Sequence, residues 1–422
     1  MPPIAREGRN SDSHLTAMLT GIDLLSTGQA ASLRRRVRSS RLGLLSHRAA
    51  TDRHGRMTSD VLEDLGATIS VLFTPEHGFD GIAQAEEPVE LVAGEFVSHT
   101  KVVSLYGKTK ESLVPTDEDL ESIDLLVIDL VDIGSRYYTY VWTALLAARA
   151  AAKKGVHTVV LDRPNPLSGH PDSIEGVPQQ AEYLSFVGLE PLPIRHAMTL
   201  GEILALFLER DSLALGADGA IGIVGHSGWE RYRTAASWSR PFIAPSPNMP
   251  TLETALVYPG ACLLEGTNLS EGRGTTLPFQ SVGAPYLDAA QLARKLTEYG
   301  LPGALVRPHV FRPMFGKHAG KICNGVLVHV TDSGLFRPVA TYAALICLAR
   351  AQAPDAFEFL SRTYEFETEN IAFDLLCGNT SVRQALLDGR SAEDVVALIS
   401  PVPPEQRPNL VEAEARALRA AE

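Results

Sequence analysis

Thr68-Ile69-Ser70-Val71-Leu72-Phe73-Thr74-Pro75-Glu76-His77-Gly78-Phe79 is an apolar, strand-like run that stops abruptly at a carboxylate and an imidazole beside a glycine. Three later runs end in the same manner. Val102-Val103-Ser104-Leu105 leads into Tyr106-Gly107, Leu125-Leu126-Val127-Ile128 leads through Asp129 to Asp132, and Thr158-Val159-Val160-Leu161 leads into Asp162-Arg163-Pro164-Asn165. Polar groups thus gather at one end of several neighbouring strands. In open α/β sheets ligands bind in the crevice outside the carboxyl ends of the strands, so the pattern points to an enzyme site.

Working outward, strand candidates at 42–45, 69–73, 102–105, 125–128, 157–161 and 220–224 alternate with helix-like segments at 23–38, 58–65, 140–154 and 200–209. This rhythm predicts an α/β fold: a doubly wound, mostly parallel sheet with helices on both faces. Thr199 followed by Glu202 has capping-box spacing, and Gly155 after Lys153-Lys154 is a helix stop. The texture changes between Trp238 and Pro250, where Pro241, Pro245, Pro247 and Pro250 break any regular element. Beyond it come a glycine-rich loop at 265–275, helical stretches at 288–299, 340–351, 382–388, 392–399 and 409–420, and a strand at 325–330. The expected organisation is a polar tail (1–20), an α/β domain (21–240) carrying the strand-end carboxylate, and a smaller α+β domain (241–422) closing over it.

Composition narrows the function classes. At 422 residues the chain is long enough for two or three domains, and 45% hydrophobic with 21% charged residues is an ordinary globular balance. A net charge of −12 argues against nonspecific nucleic-acid binding, and no apolar run is long enough for a membrane span. The N-terminus lacks the apolar core of a secretory signal, which gives a cytoplasmic expectation. Cys262, Cys323, Cys347 and Cys377 form no C-x-x-C pair, so reduced, packed thiols are expected.

Common cofactor and nucleophile motifs fail. No G-x-G-x-x-G opens a helix after a strand, Gly107-Lys108-Thr109 lacks the upstream glycine of a phosphate loop, and Gly225-His226-Ser227-Gly228-Trp229 has tryptophan where a nucleophile elbow needs glycine. No cofactor or metal is called for. What remains is a set of polar clusters, each with a plainer structural reading beside the functional one. Glu76, with His77 and flanked by Phe73 and Phe79, fits a carboxylic acid whose pKa rises in a partly apolar pocket, or a cap or salt bridge. The stretch from Asp132 to Tyr140 offers a carboxylate, Arg136 and the rings of Tyr137 and Tyr138 for a sugar and an acid group, or a structural Asp–Arg pair. Asp162, Arg163 and Asn165 sit in a proline-fixed loop, ligand-presenting or merely structural. Asn248 lies in the proline-rich junction. Glu265, Asn268, Glu271 and Arg273, among three glycines, form a loop suited to closing over the crevice or to holding itself together.

At these motifs the chain resembles the exo-β-N-acetylmuramidase family called NamZ, from about Gly21 to the C-terminus. The likeness rests on Pro75 to Phe79, Ser104 to Gly107, Asp132 to Tyr140, Leu161 to Pro166, Pro245 to Pro250, Tyr258 to Gly260 and Leu264 to Thr275. It implies a Rossmann-like domain with a smaller C-terminal one, a site in the cleft between them, and cofactor-free release of N-acetylmuramic acid from non-reducing ends of peptidoglycan fragments. By the family pattern Glu76 is the catalytic acid. Two departures bear on subsite preference: Asp80 stands where relatives often carry arginine, and Ala85-Glu86-Glu87-Pro88 replaces Ala-Gly-Glu.

The expected mechanism is glycoside hydrolysis with Glu76 protonating the leaving oxygen and a second carboxylate as nucleophile or base. Asp132, Glu265 and Glu271 are candidates for the second role, with Glu271 favoured for its glycine-flanked place. Arg136, Arg163 or Arg273 is expected to meet the lactyl carboxylate of a muramyl saccharide, and Tyr106 to line the sugar site. Two rival readings stand beside it: a metal-dependent hydrolase using His77 with Glu76, Asp132 or Asp162, and a non-catalytic muramyl-sugar binder.

Overall fold

The computed structural model describes residues 17–89, 100–216 and 219–421; most of the expected tail, residues 1–16, lies outside them. Arg41–Ser46 (β1), Thr68–Thr74 (β2), Lys101–Ser104 (β3), Leu125–Asp129 (β4), His157–Leu161 (β5) and Ile221–Val224 (β6) build one sheet in the order β3-β2-β1-β4-β5-β6. Every pairing is parallel. The order runs outward from β1 to β3 and then outward again from β4 to β6, so the winding reverses between β1 and β4. This is the doubly wound arrangement, with its ligand crevice at the reversal.

The strands read as continuous apolar runs because both faces are covered. Leu42, Leu44, Leu125, Val127, Val159 and Leu161 pack on one face with Ile22, Val37 and Val61. Their alternates Leu45, Leu126, Ile128 and Val160 pack on the other, with Trp142, Leu145, Ile203 and Phe207 from the helices Tyr140–Lys153 and Leu200–Arg210. The capping box at Thr199 and Glu202 forms as its spacing predicts. The expected single helix at 23–38 is instead two, Gly21–Ser26 and Ala31–Ser39. Gly28 between them adopts φ +85°, which ends the first helix and redirects the chain.

The second unit holds an antiparallel sheet of Ser281–Ala284 (β7), Ala304–Phe311 (β8) and Cys323–Val330 (β9), ordered β7-β9-β8. Six helices accompany it among the described residues, including Leu252–Ala261 and Pro338–Gln352. Its apolar interior is continuous with the second face of the large sheet. The helix Leu410–Ala421 returns to pack on β6 and the helix Leu200–Arg210. All four cysteines are free and buried, and no helix among the described residues is long and apolar enough to cross a membrane.

The helix Leu252–Ala261 carries Pro259 and Gly260 inside it. Gly260 is there for approach: a Cβ at this position would lie 2.0 Å from the Pro338 carbonyl oxygen, at the start of the neighbouring helix. Gly260→Ala must therefore push two core helices apart, at about 1–3 kcal/mol. A thermal melt of the variant is expected to lie several degrees below that of the parent chain; an unchanged melt would show that the contact yields freely.

Candidate active site

Glu76 follows the end of β2, one strand from the reversal. Its carboxylate is buried and held at both oxygens: the Thr139 hydroxyl donates to Oε2 at 2.7 Å and the Glu86 N–H to Oε1 at 3.3 Å. The Tyr140 hydroxyl donates to its backbone carbonyl at 3.2 Å and to that of Pro245 at 3.0 Å, tying the strand end to the interdomain segment. His77 sits at φ +70° and its Nδ1 donates to the Ala83 carbonyl at 2.8 Å, which fixes the ring beside Glu76.

Glu76 and His77 open onto a narrow hollow whose far wall is the second unit. Tyr137, Tyr138, Thr139, Ser246, Asn248, Tyr258, Glu265, Arg273, Phe279, Tyr364 and Glu365 line it. Tyr258 stands edge-on to Tyr138 and Phe279, giving a continuous aromatic wall of the kind that suits a sugar face. Asn248 reaches Gln84 at 2.7 Å. Through Ala85, Glu265 and Arg273 the hollow adjoins a wider chamber of about 450 Å³, lined also by Glu86, Glu271, Phe315, Lys317 and Arg362. The strand-end acid and the glycine-rich loop therefore meet around one continuous cleft.

Within that loop, Gly272 and Gly274 take φ +76° and +78° and fold it back on itself. Glu265 accepts from Arg273 and from the Tyr364 hydroxyl, both at 2.6 Å. Glu271 lies 2.9 Å from the Lys317 ammonium and 3.5 Å from Arg273 Nε. Burial alone would raise the Glu271 carboxyl, yet the two cations hold it below the usual carboxylate range.

Other expected site residues have different surroundings. The Arg136 guanidinium is fully buried and donates to the carbonyls of Val177, Leu192 and Leu376 at 2.6, 2.8 and 2.6 Å; among the described residues it has no carboxylate partner, and it does not line the cleft. Asp162 caps the helix Leu200–Arg210, accepting from the Thr199 hydroxyl and the Gly201 N–H. Arg163 pairs with Asp129 at 2.8 Å, and Asn165 bonds the Met198 carbonyl and the Leu167 N–H. Asp132 faces a separate small cavity with Arg163. It accepts from the Gly134 N–H at 2.8 Å, and burial pushes its carboxyl up to about 7. Asn268 ties loop to loop through Tyr286, Ala356 and Glu358. Tyr106 stands behind the hollow, its hydroxyl donating to Glu365 at 2.8 Å.

Glu365 is the principal residue that motif reading passed over. It lies in the segment Tyr364-Glu365-Phe366, an acid between two aromatics, which is the one local sign of it. Burial, and then the negative charge of Glu76, push its carboxyl well above the usual range. Strain concentrates here too: His77, Glu86, Phe279, Glu365 and Phe366 all hold positive φ, as expected where packing over-determines a functional site. Among the described residues no three His, Cys, Asp or Glu side chains converge in a metal-binding group.

The comparisons agree with this architecture. A family model described as exo-beta-N-acetylmuramidase NamZ, N-terminal, matches residues 42–253, and its C-terminal counterpart matches residues 256–402. The peptidoglycan beta-N-acetylmuramidase NamZ of Bacillus subtilis (strain 168) is 38% identical over 391 residues, covering 92% of this chain and 89% of that protein. A crystal structure of a DUF1343 family protein from Bacteroides fragilis NCTC 9343 superposes with a TM-score of 0.78 at 28% identity, covering 96% of this chain and 98% of that one. A second from the same organism, at 23% identity and a TM-score of 0.68, shares the fold. On the two matched models and the extent of the 38% identity, this chain belongs to the exo-β-N-acetylmuramidase NamZ family.

Proposed function

We propose that the chain is a glycoside hydrolase that releases N-acetylmuramic acid from the non-reducing ends of peptidoglycan fragments, with Glu76 as general acid. In this reading the acid belongs to the domain at 21–240, and the cleft is closed by the domain at 241–422. The supporting observation is the seat of Glu76: a buried carboxyl at a strand end, fixed by Thr139 and Glu86, in a hollow with an aromatic wall. A fixed acid within reach of a glycosidic oxygen supplies the leaving group with its proton, a contribution of about 10²–10⁴ in rate. Burial, and then the neighbouring Glu76, push the Glu365 carboxyl well above the usual range, so Glu365 favours its protonated form in the same hollow.

The transition state of glycoside hydrolysis resembles an oxocarbenium ion and is stabilised by a fixed negative charge. Glu271 fits that second role best, because Lys317 and Arg273 keep it ionised at the edge of the cleft. Glu265 is the alternative by position, since it lines both hollow and chamber. Asp132 is the weaker candidate, since it faces a different cavity and its carboxyl is pushed up to about 7.

Three outcomes are expected. Glu76→Gln should fold as the parent does and release N-acetylmuramic acid from a muramyl-glucosamine disaccharide at least 10²-fold more slowly; full rate on this unactivated substrate would end the acid assignment. Glu271→Gln is expected to lose activity by a similar factor, whereas a loss confined to Glu265→Gln would transfer the second role. Asp132 binds its proton more tightly folded than unfolded, so its contribution to stability is whole below its ordinary value of 3.8 and fades as pH rises through about 7. Asp132→Asn should therefore melt above the parent at pH 8, with the gap closing toward pH 4.

A further inference from the structure

Resting on the muramidase reading, we infer that Arg362 recognises the lactyl carboxylate of the muramyl sugar, and that Glu86 holds its guanidinium as a stand-in anion until the substrate displaces it. The cations in the two lined spaces differ sharply in what they already hold. Arg273 is gripped by Glu265 and Glu271 and lies over the Phe279 ring at 5.0 Å. Lys317 directs its ammonium to Glu271 and to the carbonyls of Leu264 and Leu269, which uses its three donors. Arg362 is different: its side chain is 55% exposed on the chamber wall, and among the described residues its polar contacts are both to one carboxylate, that of Glu86.

That carboxylate is a reluctant partner. Glu86 meets Arg362 as a fork, at 2.8 Å from Nη2 and 3.3 Å from Nη1, the geometry a guanidinium also offers to a ligand carboxylate. Burial, with repulsion from Glu265 and Glu76, opposes the charged form of Glu86 even with Arg362 alongside. Its backbone sits at φ +61°, a conformation that disfavours a side chain. An incoming carboxylate can take the same fork while Glu86 returns to solvent or to its proton.

Position supports the assignment. The Glu86 N–H donates to Glu76 Oε1 at 3.3 Å, so the residue that holds Arg362 is itself hydrogen-bonded to the general acid. In a muramyl unit the lactyl ether at C3 and the scissile bond at C1 belong to one ring, so an acid at one and a cation at the other must stand within a sugar's breadth. Arg136 and Arg163, expected from the sequence to serve here, are committed to backbone carbonyls and to Asp129.

N-acetylmuramic acid and N-acetylglucosamine differ only by the lactyl ether, and binding of each to the full chain by titration calorimetry is the direct test. Arg362→Met should weaken the muramic sugar at least tenfold and leave the glucosamine unchanged, with Arg362→Lys between. Glu86→Gln should tighten the muramic sugar by removing its competitor. The methyl ester of the lactyl group should bind the parent chain as weakly as the free acid binds Arg362→Met. Equal effects on both sugars, or none on either, would overturn the assignment and leave the pair as a strap across the cleft. Should that occur while the parent chain still frees N-acetylmuramic acid from the disaccharide, the hydrolase reading stands; if the parent neither binds nor frees the muramic sugar, both readings go.

Discussion

The guanidinium of Arg136, buried with no carboxylate, is the constraint on which the rest of the site depends. Removing a charge from water is costly unless its donors find partners, and here three carbonyls on separate segments, Val177, Leu192 and Leu376, accept from Nη1 and Nη2 while Nε is left without a partner among the described residues. The first two belong to the long connection after β5, and the third to the second unit. One side chain thereby fixes the register of the two units. Its own carbonyl accepts the Trp142 indole N–H at 2.6 Å, and three residues on, Thr139 donates to Glu76. The seat of the acid and the joint between the units are thus set by the same short stretch of backbone.

The cleft that results is rich in acids. Glu76, Glu86, Glu265, Glu271 and Glu365 line it, against Arg273, Lys317 and Arg362 among the described residues. Its carboxyls divide by surroundings: Glu271 is kept ionised by cations, whereas Glu365 is kept neutral by burial and a neighbouring charge. Surroundings of this kind let one cleft hold a neutral carboxyl and an ionised one side by side.

Much of the first unit was legible because its strands are buried on both faces and so carry uninterrupted apolar runs bounded by turn residues. The second unit was less so. Pro308 lies inside β8, where an edge strand tolerates it, and exposed positions alternate irregularly along that strand. No helix was expected across Pro259 and Gly260, yet the helix Leu252–Ala261 runs through both and packs closely against the helix Pro338–Gln352. At the site, Glu76, Glu265 and Arg273 were visible as polar groups at strand ends and between glycines. Glu365 and Arg362 were not, since only the folding of a distant loop over the cleft gives an ordinary Arg-Thr-Tyr-Glu run its importance. Arg136 was visible as a motif residue but misread in role, because composition cannot distinguish a guanidinium that meets a ligand from one that meets carbonyls.

The helix Leu410–Ala421, packed against β6 and the helix Leu200–Arg210, stitches the second unit back onto the first. β6 is an outermost strand of its sheet, and the helix that covers it comes after the whole of the β7-β9-β8 unit in sequence. The first unit therefore borrows the cover of one border from a distant stretch of chain. Loss of that helix would leave the flank of the parallel sheet open to water while the antiparallel sheet kept its own packing.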